Sequence, residues 1–151
     1  MNNKIENIRK TRNFLLTLIK ELTIEQLNTI PEGFSNNIIW NLGHLIAAQQ
    51  GVCYVRAGLN TWVDEDFFNS YKPGSKPERK LNDGEVEGIK ELFFSSLDVL
   101  EKDYEKNLWS TYPSWNTRYG ITISSIDEAV EFLQFHEGLH TGYIMAMKKV
   151  V

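Results

Sequence analysis

The chain has 151 residues, 42% of them hydrophobic and 24% charged, with a formal net charge of −4. That balance describes one soluble globular domain over residues 1–151, long enough to bury a core. Lys and Arg are scattered and offset by nearby Asp and Glu, so no nucleic-acid partner is expected. Asn41, His44 and Gln49-Gln50 break the longest apolar stretch well short of a membrane span, so no membrane partner is expected either.

The opening residues, Met1-Asn2-Asn3-Lys4-Ile5-Glu6, lack the apolar centre of a signal peptide, and a cytosolic location is expected. In the first long segment Ile5, Ile8, Arg12, Leu15, Ile19 and Leu22 recur at alternating steps of three and four, giving one apolar helical face with a single charge in it. Arg12 is expected to snorkel to the bundle end, with anion binding in a pocket as the alternative. Thr23-Ile24-Glu25-Gln26 has the form of a capping box and predicts a short helical turn closed by Pro31 and Gly33. The second long helix is predicted to begin after Ser35, Asn36 or Asn37 and to run to about Ala57, before Gly58. The single cysteine, Cys53, falls inside it and reads as a small buried hydrophobe, consistent with a reducing compartment.

From about Leu59 to Asn82 the chain reads as irregular, because Pro73-Gly74-Ser75 and Pro77 forbid a continuous helix. Its aromatics Trp62, Phe67, Phe68 and Tyr71 give this connection the means to pack over something. A third long helix starts near Asn82 or Asp83, with the stripe Val86, Ile89, Phe93, Leu97, Leu100 and Tyr104. A second loop, Tyr112 to Gly120, leads through Ile121-Thr122-Ile123, a short extended piece, into the Ser125-Ile126-Asp127-Glu128 capping box of a last helix predicted to continue nearly to Val151. Four amphipathic helices without period-2 runs predict an all-α four-helix bundle, and the long loops leave room for crossover connections.

Two of the three histidines, His136 and His140, lie four residues apart on the apolar stripe of the last helix, so their imidazoles sit one turn apart on the same face. Buried imidazoles need partners for both nitrogens, and a shared metal ion provides one. The third, His44, is in the apolar second helix and is available as a distant third ligand. His136-Glu137-Gly138-Leu139-His140 also satisfies the H-E-x-x-H pattern of zinc proteases. The residues after His140 hold no His, Asp or Glu, and Tyr143 and Ala146 stand where the extended form has glycine and histidine, which argues against a protease.

The stretch Asn36-Asn37-Ile38-Ile39-Trp40-Asn41-Leu42-Gly43-His44-Leu45, the Thr23 to Leu27 lead-in, the Tyr71-Lys72-Pro73-Gly74-Ser75 loop and the terminal His136 to Ile144 run together resemble the DinB superfamily, the DinB/YfiT-like metalloenzymes. The resemblance covers essentially the whole chain, in order. It implies a four-helix bundle with a crossover topology, commonly a homodimer, and a divalent metal on His44, His136 and His140. Tyr143 departs from the pattern, since many members carry glutamine there; it is expected to line the pocket.

Three neutral imidazoles leave a dication uncompensated and a fourth position open, the arrangement of catalytic zinc, which lowers the pKa of a bound water or thiol. Zinc or nickel is expected, with iron or cobalt also compatible with nitrogen ligands. Glu137 follows His136 by about 100° around the helix and flanks the clamp; it reads as a general base, a partner of the ligands, or a solvated glutamate. Trp40, one turn before His44, is placed either in the wall of the same cavity or in ordinary core. Trp115, Arg118 and Tyr119 are weaker candidates for a pocket rim. Relatives of this type include thiol-dependent S-transferases and isomerases. The leading expectation is therefore a metal-dependent enzyme of transferase or hydrolase type, activating water or a low-molecular-weight thiol against a small electrophile. A non-catalytic stress or interaction protein with a structural metal is the alternative from another class, and an ordinary bundle with three core histidines is the third reading.

Overall fold

A computed structural model describes residues 2–151, with Asn2 described by its backbone alone. It is mostly helical, as the stripes require: α1 (Asn2–Ile19), α2 (Ile24–Asn28), α3 (Ile38–Cys53), α4 (Glu65–Tyr71), α5 (Asp83–Glu105) and α6 (Ile126–Met147), plus the short strands β1 (Trp115–Asn116) and β2 (Thr122–Ile123). None of the described helices is long and apolar enough to cross a membrane.

Side-chain caps fix most helix starts. Thr23 and Gln26 form the reciprocal box at α2, and Asn82 and Glu85 form another at α5. Asn37 is the cap of α3, its side chain accepting from the Trp40 amide at 2.8 Å. At α6, Ser125 accepts from the Glu128 amide, but the Glu128 carboxylate reaches back to the Ser124 amide rather than to Ser125, so the expected box is half formed. Helix α3 stops at Cys53 and passes through a 3-10 turn, Val55–Ala57, to Gly58, whose φ of 72° requires the left-handed region. Helix α6 ends at Met147, four residues before Val151, close to the expected end.

The four long helices pack pairwise, α1 and α3 each against both α5 and α6. Lys4 pairs with Glu131, Asn7 with Gln134, and Lys148 with the Leu18 carbonyl, so α1 and α6 run the same way. Gln49 reaches the Ser96 carbonyl and Tyr54 reaches Asp103, so α3 and α5 also share a direction. Because they do, the segment between them must return along the helices, and it does so carrying α4, which lies on α3. This short helix corrects the expectation of an irregular stretch from Leu59 to Asn82. Asp64 caps it, and Phe67, Phe68 and Tyr71 pack on the core as their apolar character demands. The extended piece expected at Ile121 to Ile123 is one arm of a hairpin pairing Trp115 with Ile123.

Helix α3 is buried almost all round, as its apolar composition on every face requires. The core has two apolar clusters. One holds Leu15, Ile19, Leu42, Ile46, Phe93, Ile144 and Met147; the other holds Ile5, Ile8, Cys53, Leu97, Leu100, Val130 and Leu133. Between them on α1, α3, α5 and α6 respectively stand Arg12, Gln49, Ser96 and Glu137, all buried. Arg12 therefore does not snorkel. Its Nε and Nη2 donate to Glu137 Oε1 at 2.9 and 2.7 Å, and its Nη1 donates to the Phe93 carbonyl and Ser96 Oγ. Glu137, 1% exposed, is correspondingly not a solvated glutamate. Burial pushes its carboxyl above the ordinary range and Arg12 opposes that rise. Cys53 is fully buried in the second cluster, where burial raises its thiol far above the reactive range.

Candidate metal centre

At the level of this polar layer, but on the seam where α3 meets α6, the three histidines come together. One nitrogen from each of His44, His136 and His140 lies within 4.8 Å of the other two, and the ring centroids are 4.6 to 5.3 Å apart. Helical geometry explains the approach. His136 and His140 stack one turn apart on α6, and the antiparallel α3 brings His44 opposite them.

The partners of two rings fix which nitrogen is free. His44 Nδ1 lies 2.8 Å from the Tyr71 carbonyl oxygen, which can only accept, so Nδ1 carries the proton. His140 Nδ1 lies 2.7 Å from Asn41 Oδ1, and the Asn41 amide nitrogen is oriented by donating to Asn36 Oδ1 and to the Asn37 carbonyl. In the neutral rings, Nε2 of both His44 and His140 therefore keeps its lone pair. Such outer acceptors are the usual means of orienting a metal-binding imidazole and raising its basicity. His136 Nδ1 is buried with no protein partner.

All three imidazoles are held neutral at pH 7. Burial is the main cause in each case, taking His136 down to about 3 and His140 down to about 4, and lowering His44 against the opposing hydrogen bond to Tyr71. Mutual proximity adds to the effect on His136 and His140. Neutral nitrogen donors with converging lone pairs and an unpartnered buried ring nitrogen suit a divalent transition metal, and all-nitrogen ligation is compatible with zinc, nickel, iron or cobalt.

Of the other residues singled out in the sequence, Trp40 stacks on His44, with centroids 4.9 Å apart and planes 13° from parallel, while its Nε1 donates to the Ser70 carbonyl. Tyr143 sets its ring edge-on against Phe34 at 5.1 Å. Glu137, also singled out as a general base or a partner of the ligands, has its Oε1 held by Arg12 Nε and Nη2, while its Oε2 is buried without a partner. Arg118 and Tyr119 stand on the hairpin near the triad, joined to it through Phe132: Tyr119 lies 6.3 Å from Phe132, which lies 6.1 Å from His136. Trp115 packs against Phe132 and under Arg56. A cavity of about 500 Å³ lined by Asn37, Trp40, Tyr71, Lys76 and Arg79 lies beside the centre, with none of the histidines in its lining. Trp40 and Tyr71 are the walls it shares with the centre's surroundings.

Two contributors escaped sequence reasoning, Asn41 and Tyr71. Asn41 carried a signal, since it is polar, sits in an apolar helix and precedes His44 by three residues. Tyr71 carried none, because it acts through its carbonyl. Gly43 makes that contact possible: a Cβ there would fall 2.4 Å from Tyr71 Cδ1, so only glycine lets the ring lie against α3. A family model described as the DinB superfamily matches residues 7–144. No curated protein matches the chain.

Proposed function

Because the chain belongs to the DinB superfamily, we propose that it is a divalent-metal enzyme, of thiol transferase or hydrolase type, built as a four-helix bundle whose connection between α3 and α5 crosses over. The observation that carries this reading is the convergence of three neutral imidazoles, two of them oriented from behind by Tyr71 and Asn41. An ion so bound, zinc or nickel first and iron or cobalt next, would retain its charge and an open position, and would supply the acidity that brings a water or low-molecular-weight thiol toward ionisation near neutral pH.

The chain's own residues have separable parts in this reading. His44, His136 and His140 hold the ion. The Tyr71 carbonyl and Asn41 Oδ1 hold protons on Nδ1 of their imidazoles and so keep the opposite lone pairs available. Trp40 covers one face of His44 and excludes water from that side. Glu137, paired with Arg12, anchors α6 between its two ligands rather than moving a proton. The protein is read as cytosolic and homodimeric, acting on a small molecule. Exposed apolar side chains on α6, Phe135 and Leu139 among them, support the dimer, which light scattering would check.

The test is metal analysis of untagged protein followed by spectroscopy of the cobalt-substituted form. One ion per chain, lost in His136→Ala, with a pH-dependent spectrum that responds to added thiol supports the enzyme. Because His44 comes from α3 and the other two ligands from α6, the same site also supports a non-catalytic protein in which the metal ties two helices together. A spectrum unmoved by pH and by thiol would favour that second reading.

A further inference from the structure

The polar surroundings of the triad are unbalanced in sign. Its three ligands are neutral, and the carboxylate nearest in sequence, Glu137, is buried against Arg12. The hairpin beside α6 carries a cation, Arg118, whose neighbour Tyr119 packs on Phe132, itself 6.1 Å from His136. Arg9, Arg12 and Arg79 each meet a carboxylate, whereas among the described residues Arg56 and Arg118 meet none; Arg56 lies over the Trp115 ring, and Arg118 is the one whose neighbour Tyr119 packs toward the triad through Phe132. Its guanidinium lies over the Tyr119 ring, 5.3 Å from the centroid, and Nη2 donates to the Tyr119 hydroxyl at 3.2 Å. Tyr119 in turn packs on Phe132 and Phe135 of α6, and Phe132 leads to His136. The hairpin thus sets an exposed, planar, donor-rich cation on an aromatic platform that continues to a ligand of the candidate metal centre. A guanidinium has five donors in a rigid fork suited to a carboxylate, and one hydrogen bond to a phenol leaves most of them free.

Resting on the reading of the triad as an open metal site, we infer that its substrate or cosubstrate carries an anionic group of carboxylate type. Arg118 receives that group at the rim, the apolar body lies along Tyr119 and Phe132, and the reacting atom reaches the triad. Arg118 acts here as a specificity residue. It attracts an anion toward a centre already positive once loaded, where no acid side chain competes.

The experiment uses cobalt-loaded full-length protein and two thiols differing only in charge, mercaptohexanoate and its amide, with the thiol at the far end of each chain from the carboxylate or amide. Binding is read from the cobalt–thiolate absorption. The wild type is expected to bind the carboxylate about tenfold more tightly, the value of one charge-assisted contact at a partly wet site. Arg118→Gln should bring the ratio to about one with cobalt content unchanged, and Arg118→Lys should retain part of the preference. Equal binding by the wild type, or a preference that survives in Arg118→Gln, overturns the anion inference and leaves the open-site reading intact. Absence of any thiol response in protein carrying stoichiometric cobalt overturns the open-site reading and takes the inference with it.

Discussion

Replacing Arg12 by methionine isolates the polar layer between the two apolar clusters. Methionine retains most of the aliphatic stem but removes both contacts to Glu137 Oε1, the 2.6 Å contact to the Phe93 carbonyl, the 3.1 Å contact to Ser96 Oγ and the 3.4 Å contact to the Leu45 carbonyl. Two of those acceptors are helical carbonyls that retain their own amide donors, and Ser96 Oγ still donates to Gln49 Oε1. The carboxylate is different. Its Oε2 already lacks a partner, and after the substitution neither oxygen would have one, in a residue 1% exposed. Leaving one member of a buried ion pair alone costs about 3–5 kcal/mol, which for a chain of this size lowers Tm by about 6–20 °C. Removing the second charge as well, in Arg12→Met with Glu137→Met, should recover most of that loss, because the penalty lies in the orphaned charge rather than in the missing attraction. Urea unfolding of metal-free protein, with the slope checked for constancy, gives both numbers. A single variant within about 1 kcal/mol of wild type, or a double variant no better than the single, would refute the reasoning.

Stability should also respond to the ion: zinc at a hundred times its Kd should add about 2.7 kcal/mol, an increment that chelator removes and that His136→Ala never shows in thermal melts. Asn41→Ala takes away the acceptor behind His140 and is expected to weaken metal binding about 10- to 100-fold by competition with a chromophoric chelator, while Asn41→Asp retains an acceptor and most of the affinity. Gly43→Ala should displace the Tyr71 ring and weaken metal binding similarly, whereas Gly51→Ala, whose Cβ would meet Phe68 at an ordinary 3.7 Å, should leave it unchanged. On the surface, the Glu85 carboxyl is held down to about 2, first by its hydrogen bond from Arg79 and then by the Asn82 amide. A depressed folded value means stabilisation that is present above about pH 4.5 and lost as pH falls toward 2, so Glu85→Gln should flatten that part of the acid-unfolding curve.

Most long helices were legible because their apolar stripes repeat at helical spacing and their caps are local. Helix α4 was not, since seven residues between Asp64 and the Pro73-Gly74 turn are too few to display a period. The three histidines were legible as a set from their spacing and their apolar surroundings. The Arg12–Glu137 pair was hidden by its distance along the chain. Each residue alone resembles a solvated charge, and only the position of Arg12 within the stripe of α1 gave notice that a counter-charge had to enter the core with it. The extra acceptor on His140 was readable in principle from Asn41. The acceptor on His44 was not, because every residue has a carbonyl and the fold alone selects which one arrives.

That asymmetry bears on how such a centre can change over generations. The proton on His140 rests on a side chain that one nucleotide change can turn into a carboxylate, so its basicity can drift in small steps. The proton on His44 rests on the peptide backbone, which no codon at position 71 removes. Retuning that imidazole requires moving α4 as a body, and Gly43 limits even that movement. One ligand of the centre is therefore open to gradual adjustment, while another changes only when a whole segment is remodelled.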